Sequence, residues 1–148
     1  MYYFAYGSNM NIKHLEKYLK NCNALITGIG ELKNYSFRYN RQNNSFPTKK
    51  SRANIVKRKG STVYGLIFDI DDIVLNMLNI KEGVEEKIYK KINVIVNSGG
   101  EKFKCLSYTM VNPGDIIEPP VKYKKLIVDA GLLFNFPKKY MKKLRKID

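Results

Sequence analysis

The chain has 148 residues, 44% hydrophobic and 27% charged, with a formal net charge of +14 and two cysteines. That suffices for one domain (1–148) with a buried core, and it excludes a disordered chain. No apolar run reaches the ~18 residues of a membrane span. No basic segment precedes an apolar stretch as in a secretory signal. Cys22 and Cys105 stand far apart without CxxC spacing, so a reduced, cytosolic protein is expected.

The first stretch, Tyr2-Tyr3-Phe4-Ala5-Tyr6, is apolar and aromatic and reads as a buried strand. It ends in Gly7-Ser8-Asn9, and helical spacing follows at once with Ile12, Leu15, Tyr18 and Leu19. A strand, a tight turn and a helix start within a dozen residues leave backbone N–H groups aimed outward, a natural anion site suited to a carboxylate. Gly7 permits close backbone approach or a positive φ. Ser8 and Asn9 either cap the helix or touch a ligand.

The first helix is expected over Asn11 to Lys20, followed by a strand over Ala24 to Leu32 that Gly28 and Gly30 interrupt. Asn34 to Asn40 alternates, with Tyr35, Phe37 and Tyr39 on one face and Ser36 and Arg38 on the other. Arg41 to Arg52 is polar and aperiodic, a long loop able to cover a pocket. A hairpin is expected from Ala53 to Arg58 and Thr62 to Ile70 around Lys59-Gly60-Ser61. Asp71 caps a short helix through Asn79, with Ile73, Val74, Met77 and Leu78 inward. A second hairpin joins Ile88–Asn97 to Glu101–Met110 through Ser98-Gly99-Gly100. Asn112-Pro113-Gly114-Asp115 and Pro119-Pro120 read as loop, before helices over Val121–Leu133 and Pro137–Ile147. The order implies an α+β fold with a curled, mostly antiparallel sheet.

The positive charge raises nucleic acid as a partner. The excess is nearly all lysine, alongside abundant Asn, Ile and Tyr, residues that share A/T-rich codons, so base composition explains much of it. Arginine, the better phosphate fork, is restricted to Arg38, Arg41, Arg52, Arg58 and Arg145. Nucleic acid and membrane are therefore not expected as partners.

Of the thirteen carboxylates, most fall at caps, turns or wet helix faces. Two stand against apolar sequence. Asp129 interrupts Leu126-Ile127-Val128 and Ala130-Gly131-Leu132-Leu133, which looks like a packed helix and gives it a structural role. Glu82 lies between an apolar helix and Gly83-Val84. A carboxylate near apolar surface has a raised pKa and can carry protons near neutrality. On the residues alone the two are comparable.

Three blocks carry a resemblance. Tyr3-Phe4-Ala5-Tyr6-Gly7-Ser8-Asn9-Met10 resembles the opening of the γ-glutamylcyclotransferase family. Glu82-Gly83-Val84 with Tyr89 resembles the segment holding that family's catalytic glutamate. Tyr123-Lys124-Lys125, Ala130-Gly131, Phe136-Pro137 and Tyr140 resemble its C-terminal helices. The blocks stand in family order over nearly the whole chain. The resemblance implies a small, partly open barrel with flanking helices, and it selects Glu82 as the catalytic residue. It implies substrate binding by Tyr3, Phe4, Ala5, Tyr6, Gly7, Ser8, Asn9, Tyr89 and Tyr123, with Tyr108 a further candidate for the pocket wall. It implies conversion of a γ-glutamyl amino acid or amine to 5-oxoproline and the free amine, without metal or organic cofactor, and a homodimer. A γ-glutamylamine (isopeptide) cyclotransferase and a non-catalytic basic binding module are the rival readings. Asn79 stands where the family commonly has Asp, and Lys81, beside Glu82, is expected to face water.

Overall fold

In the computed structural model, residues 1–20, 22, 24–42 and 50–146 are described. Six strands, β1 (Tyr2–Ala5), β2 (Leu25–Gln42), β3 (Ser51–Asp69), β4 (Tyr89–Ser98), β5 (Glu101–Met110) and β6 (Pro113–Ile116), form one sheet in the order β3-β1-β5-β4-β2-β6. A further β3–β2 pairing closes five of them into a barrel, with β6 added at the outer edge of β2. The helices are α1 (Ile12–Glu16), α2 (Asp72–Lys81), α3 (Val121–Leu133) and α4 (Lys138–Arg145). The fold is α+β, as expected. The pairings are antiparallel except β1–β5, which is parallel. The thin seam of the ring is β2–β4, where a single Cα pair, Glu31↔Asn97, is registered.

β1 is a short strand whose residues after Tyr2 are buried. Phe4 has no exposed surface and Tyr3 and Ala5 almost none. Gly30 and Gly65 face each other across β2 and β3. A Cβ at Gly65 would stand 2.3 Å from the Ala5 carbonyl oxygen and 2.8 Å from the Phe4 ring. Absent side chains there let the Phe4 ring seat inside the barrel, which fixes the strand that leads into the Gly7 turn. Gly30 therefore does not interrupt a strand but makes room within one.

Several elements differ from the sequence expectation. β2 and β3 are each continuous through the places read as breaks. Lys59-Gly60-Ser61 does not reverse the chain. The register passes from Lys33↔Thr62 to Tyr35↔Lys57, so β3 carries a wide bulge opposite Asn34. Asn34 and Gly60 both take positive φ, and the Asn34 side chain accepts from the Gly60 amide at 3.1 Å. The turn chemistry is real, but it was spent on a bulge that bends paired strands. The segment read as a loop from Arg41 to Arg52 contributes its ends to β2 and β3, while 43–49 lie outside the described residues. Pro113–Ile116, read as loop, pairs with β2 through Asn40↔Ile116 and Gln42↔Pro113, an edge position where proline costs no ladder bond. The first helix is shorter than its apolar periodicity, ending at Glu16 with turns beyond. Ile73 faces outward on α2.

Candidate active site

Glu82 is held by the end of its helix. Asp71 caps the start of α2, its carboxylate accepting from the Val74 amide. At the far end Gly83 adopts φ 65°, its amide donates to the Ile80 carbonyl at 3.1 Å, and the Val84 amide donates to Asn79 at 3.0 Å. These two bonds make a Schellman close, which requires a residue tolerant of left-handed backbone at position 83. A Cβ there would also press within 2.8 Å of Ile88. Glu82 is thus the C-cap residue of a terminated helix, fixed on both sides, and this is the physical content of Glu-Gly-Val.

The glutamate meets the turn after β1. Tyr3, Tyr6, Gly7, Ser8, Asn9, Ala53, Glu82, Tyr89, Tyr108 and Tyr123 enclose one cavity. Seven of the nine positions expected to bind substrate therefore stand on its wall. Phe4 and Ala5 do not line it; both are buried in the core. Ala53 was not anticipated, since it lay at the margin of an apparent loop. It anchors two walls: its amide donates to the Tyr123 hydroxyl at 2.9 Å, and its carbonyl accepts from Tyr89 at 2.5 Å.

Ser8 and Asn9 do not cap α1. That role belongs to Asn11, whose side chain accepts from the His14 amide. Ser8–Met10 instead form a single 3-10 turn, and the amides of Ser8 and Asn9 find no backbone or side-chain acceptor among the described residues. Asn9 is buried and reaches inward. Its Nδ2 donates to Glu82 Oε1 at 3.0 Å and to the Tyr3 hydroxyl at 2.9 Å. Its Oδ1 accepts from the Lys81 ammonium. The amide orientation is dictated by chemistry, because an ammonium only donates and a carboxylate only accepts.

Lys81 does not face water as expected. Its ammonium lies 4.6 Å from the centre of the Tyr18 ring and turns back to Asn9. The aromatic face and the carbonyl end of α2 both favour a cation there. Asn79 keeps an acceptor in place of a charge: its Oδ1 takes the Tyr108 hydroxyl at 2.7 Å.

Burial raises the Glu82 pKa above the usual carboxylate range, while the Lys81 charge and the Asn9 hydrogen bond pull it back. The helix C-terminus, negative by its carbonyls, acts in the same direction as burial. The result is a carboxylate with enhanced proton affinity yet still stabilised as an anion. Burial likewise raises the surrounding tyrosines, Tyr123 to about 12, so they serve as neutral hydroxyls at physiological pH. Lys81→Met removes the cation and keeps the stem. It should shift the acidic limb of the kcat/KM profile to higher pH, since Glu82 then loses its proton less readily. An unmoved limb in a folded variant would show that the ammonium does not tune this carboxylate.

Asp129, the other candidate, is exposed on α3 and pairs with Lys125 one turn earlier at 2.6 Å. It does not line the cavity with Glu82, and it is not part of a packed face. Asp129→Asn should leave turnover unchanged and lower stability by under ~0.5 kcal/mol, as for surface pairs at this spacing. Equilibrium urea unfolding checks the second figure.

The model of the AIG2-like family matches residues 62–144. γ-Glutamylcyclotransferases from Bos taurus and Homo sapiens are each 30% identical over 149 residues, covering 99% of this chain and 78% of theirs. The chain belongs to the γ-glutamylcyclotransferase family. A solved γ-glutamyl cyclotransferase structure superposes with a TM-score of 0.89 at 26% identity, over 100% of this chain and 88% of the other. Matches over nearly the whole of this chain place it among cyclotransferase enzymes.

A second chamber opens on the first, sharing Ser8, Glu82, Tyr89 and Tyr123 and adding His14, Tyr18, Gln42, Arg52, Lys81 and Ile88. Its volume is about 320 Å³. The Arg52 guanidinium stacks 4.6 Å from the Tyr123 ring centre. Among the described residues, no group of three or more His, Cys, Asp or Glu side chains could hold a metal ion. No helix among them is long and apolar enough to cross a membrane.

Proposed function

We propose that this enzyme converts a γ-glutamyl amino acid to 5-oxoproline and the free amino acid, with Glu82 carrying the proton. The observation that supports this most is the Asn9–Glu82 contact, which sets one proton-carrying carboxylate against a turn with unpaired amides. In the proposed reaction the substrate's α-amine attacks its own γ-carbonyl. A C–N bond forms, closing a five-membered ring, and the amide C–N bond breaks. Glu82 accepts the amine's proton and returns it to the leaving nitrogen, so no net proton is consumed. Holding the glutamyl chain folded supplies the orientation effect, for which effective molarities reach ~10⁵–10⁸ M. The amides of the Gly7–Ser8 turn receive the substrate's α-carboxylate, and neutral tyrosine hydroxyls line the site of the tetrahedral oxygen.

Arg52 and Lys81 in the outer chamber favour a leaving group that bears a carboxylate over a γ-glutamylamine that bears a second ammonium. A reducing compartment is part of the reading, in keeping with free Cys22 and Cys105. The deciding experiment is release of 5-oxoproline from a panel of γ-glutamyl amino acids, γ-glutamyl-ε-lysine and γ-glutamylamines. Turnover of the amines alone would replace the leaving-group assignment. No turnover of any member would leave the binding-module reading. Sedimentation of the same sample tests the homodimer implied by the resemblance.

A further inference from the structure

A second concavity, of about 340 Å³, shares no lining residue with the catalytic chambers. Four cations from three elements converge on it: Arg38 from β2, Arg58 from β3, and Lys143 and Lys146 from α4 and its end. Among the described residues no carboxylate lines it. The ion pairs of the described residues lie elsewhere, and none of these four side chains takes part in one. Lysines at a helix C-terminus are explained by the helix dipole alone. The arginines have no such reason. They are two of only five in the chain. The bulge in β3 supplies one of them, since residues 58–61 are the extra residues opposite Asn34, and bulges re-aim side chains.

Ser36, 7% exposed, brings a hydroxyl to the cavity wall. Ser61 brings a second hydroxyl from the bulge.

We propose that this concavity is an anion site for an oligophosphate, either inorganic or the phosphate chain of a nucleotide, separate from the reaction centre. Phosphate oxygens match the arginine forks and accept from the serine hydroxyls. Four positive charges suit a chain of two or three phosphates better than one carboxylate, and the volume admits it.

The test is calorimetric titration of the intact protein with inorganic triphosphate, ATP and AMP at ~0.15 M ionic strength, where diffuse surface charge is screened beyond about 8 Å. Triphosphate should bind once per chain. The Arg38→Ala/Arg58→Ala pair should weaken it at least ~10-fold, as expected for charged hydrogen bonds. Ser36→Ala, which changes no charge, should weaken it by a smaller factor. Lys90→Ala/Lys91→Ala, at exposed positions on β4, should leave it unchanged, and 5-oxoproline release should be the same in all variants. ATP binding as tightly as triphosphate identifies the phosphate chain as the ligand, and tighter ATP binding identifies a nucleotide. The proposal is overturned if triphosphate does not bind, or if the Arg38/Arg58 variant binds it unchanged. It is also overturned if the Lys90/Lys91 variant loses as much, which marks diffuse charge.

Discussion

Glu82→Gln should lower turnover by at least ~10²-fold, the contribution of a positioned acid–base group, while the protein stays folded. The substitution keeps the shape and the possibility of a bond with Asn9, and it removes only the capacity to take up a proton. Stability should not fall with activity. The folded pKa of Glu82 is raised, mainly by burial. A raised folded pKa means that its favourable contribution is complete below the unfolded value and is lost as pH rises through the folded value. The ionised carboxylate is therefore a cost to the fold, and a neutral amide relieves it. Thermal melting of Glu82→Gln at pH 7 should match or exceed that of the parent, with the difference shrinking as pH falls toward the unfolded range. Undiminished 5-oxoproline release from purified Glu82→Gln would exclude this residue as the proton carrier. A melting point well below the parent would show that the carboxylate is structural.

Much of this arrangement is legible in the sequence, because it rests on local chemistry. Asp71 as cap and the Gly99-Gly100 turn each act through neighbours a few residues away, and each appears where expected. What escapes local reading depends on partners far along the chain. Asn34 and Gly60 carry turn signals, yet each is satisfied by the other across a ladder, so two apparent breaks become one bulge. Pro113–Ile116 becomes a strand because β2 offers an open edge. Lys81 turns inward because Asn9, 72 residues earlier, supplies its acceptor. Asn9 looks like a cap and acts as a bridge, since Asn11 takes the helix start. Asp129 illustrates the converse: apolar neighbours in sequence suggest burial, but the helical turn carries it to the wet face beside Lys125.

Gly7→Val should abolish productive binding while leaving most of the fold intact. Positive φ is not the reason, because Gly7 has φ −113° and ψ −141°. The constraint is space. A Cβ at Gly7 would stand 3.0 Å from Ala53 Cβ and 3.8 Å from the Tyr123 hydroxyl. Ala53 cannot recede cheaply, since its amide and carbonyl hold Tyr123 and Tyr89 respectively. The added bulk must instead displace the turn whose amides are proposed to receive the substrate's α-carboxylate. A displacement of about 1 Å at such a site can cost ~10² in rate, and overpacking typically costs only about 1–3 kcal/mol of stability. We therefore expect kcat/KM to fall by at least ~10²-fold in molecules that remain folded. Gly7→Ala isolates the contact, since its single methyl meets Ala53 and little else. Its loss should be recovered in part by Ala53→Gly, which removes the opposing methyl without touching either backbone hydrogen bond, and the recovery measures the coupling between the two positions. If the double variant is no better than Gly7→Ala alone, the close approach to Ala53 is not what limits the site. A γ-glutamyl substrate analogue without its α-carboxylate probes the same turn from the ligand side. Donors meant for an anion are left unpaired when water is excluded, so it should bind poorly. Equal affinity for the analogue and its parent would remove the carboxylate from the turn even if every Gly7 variant were inactive.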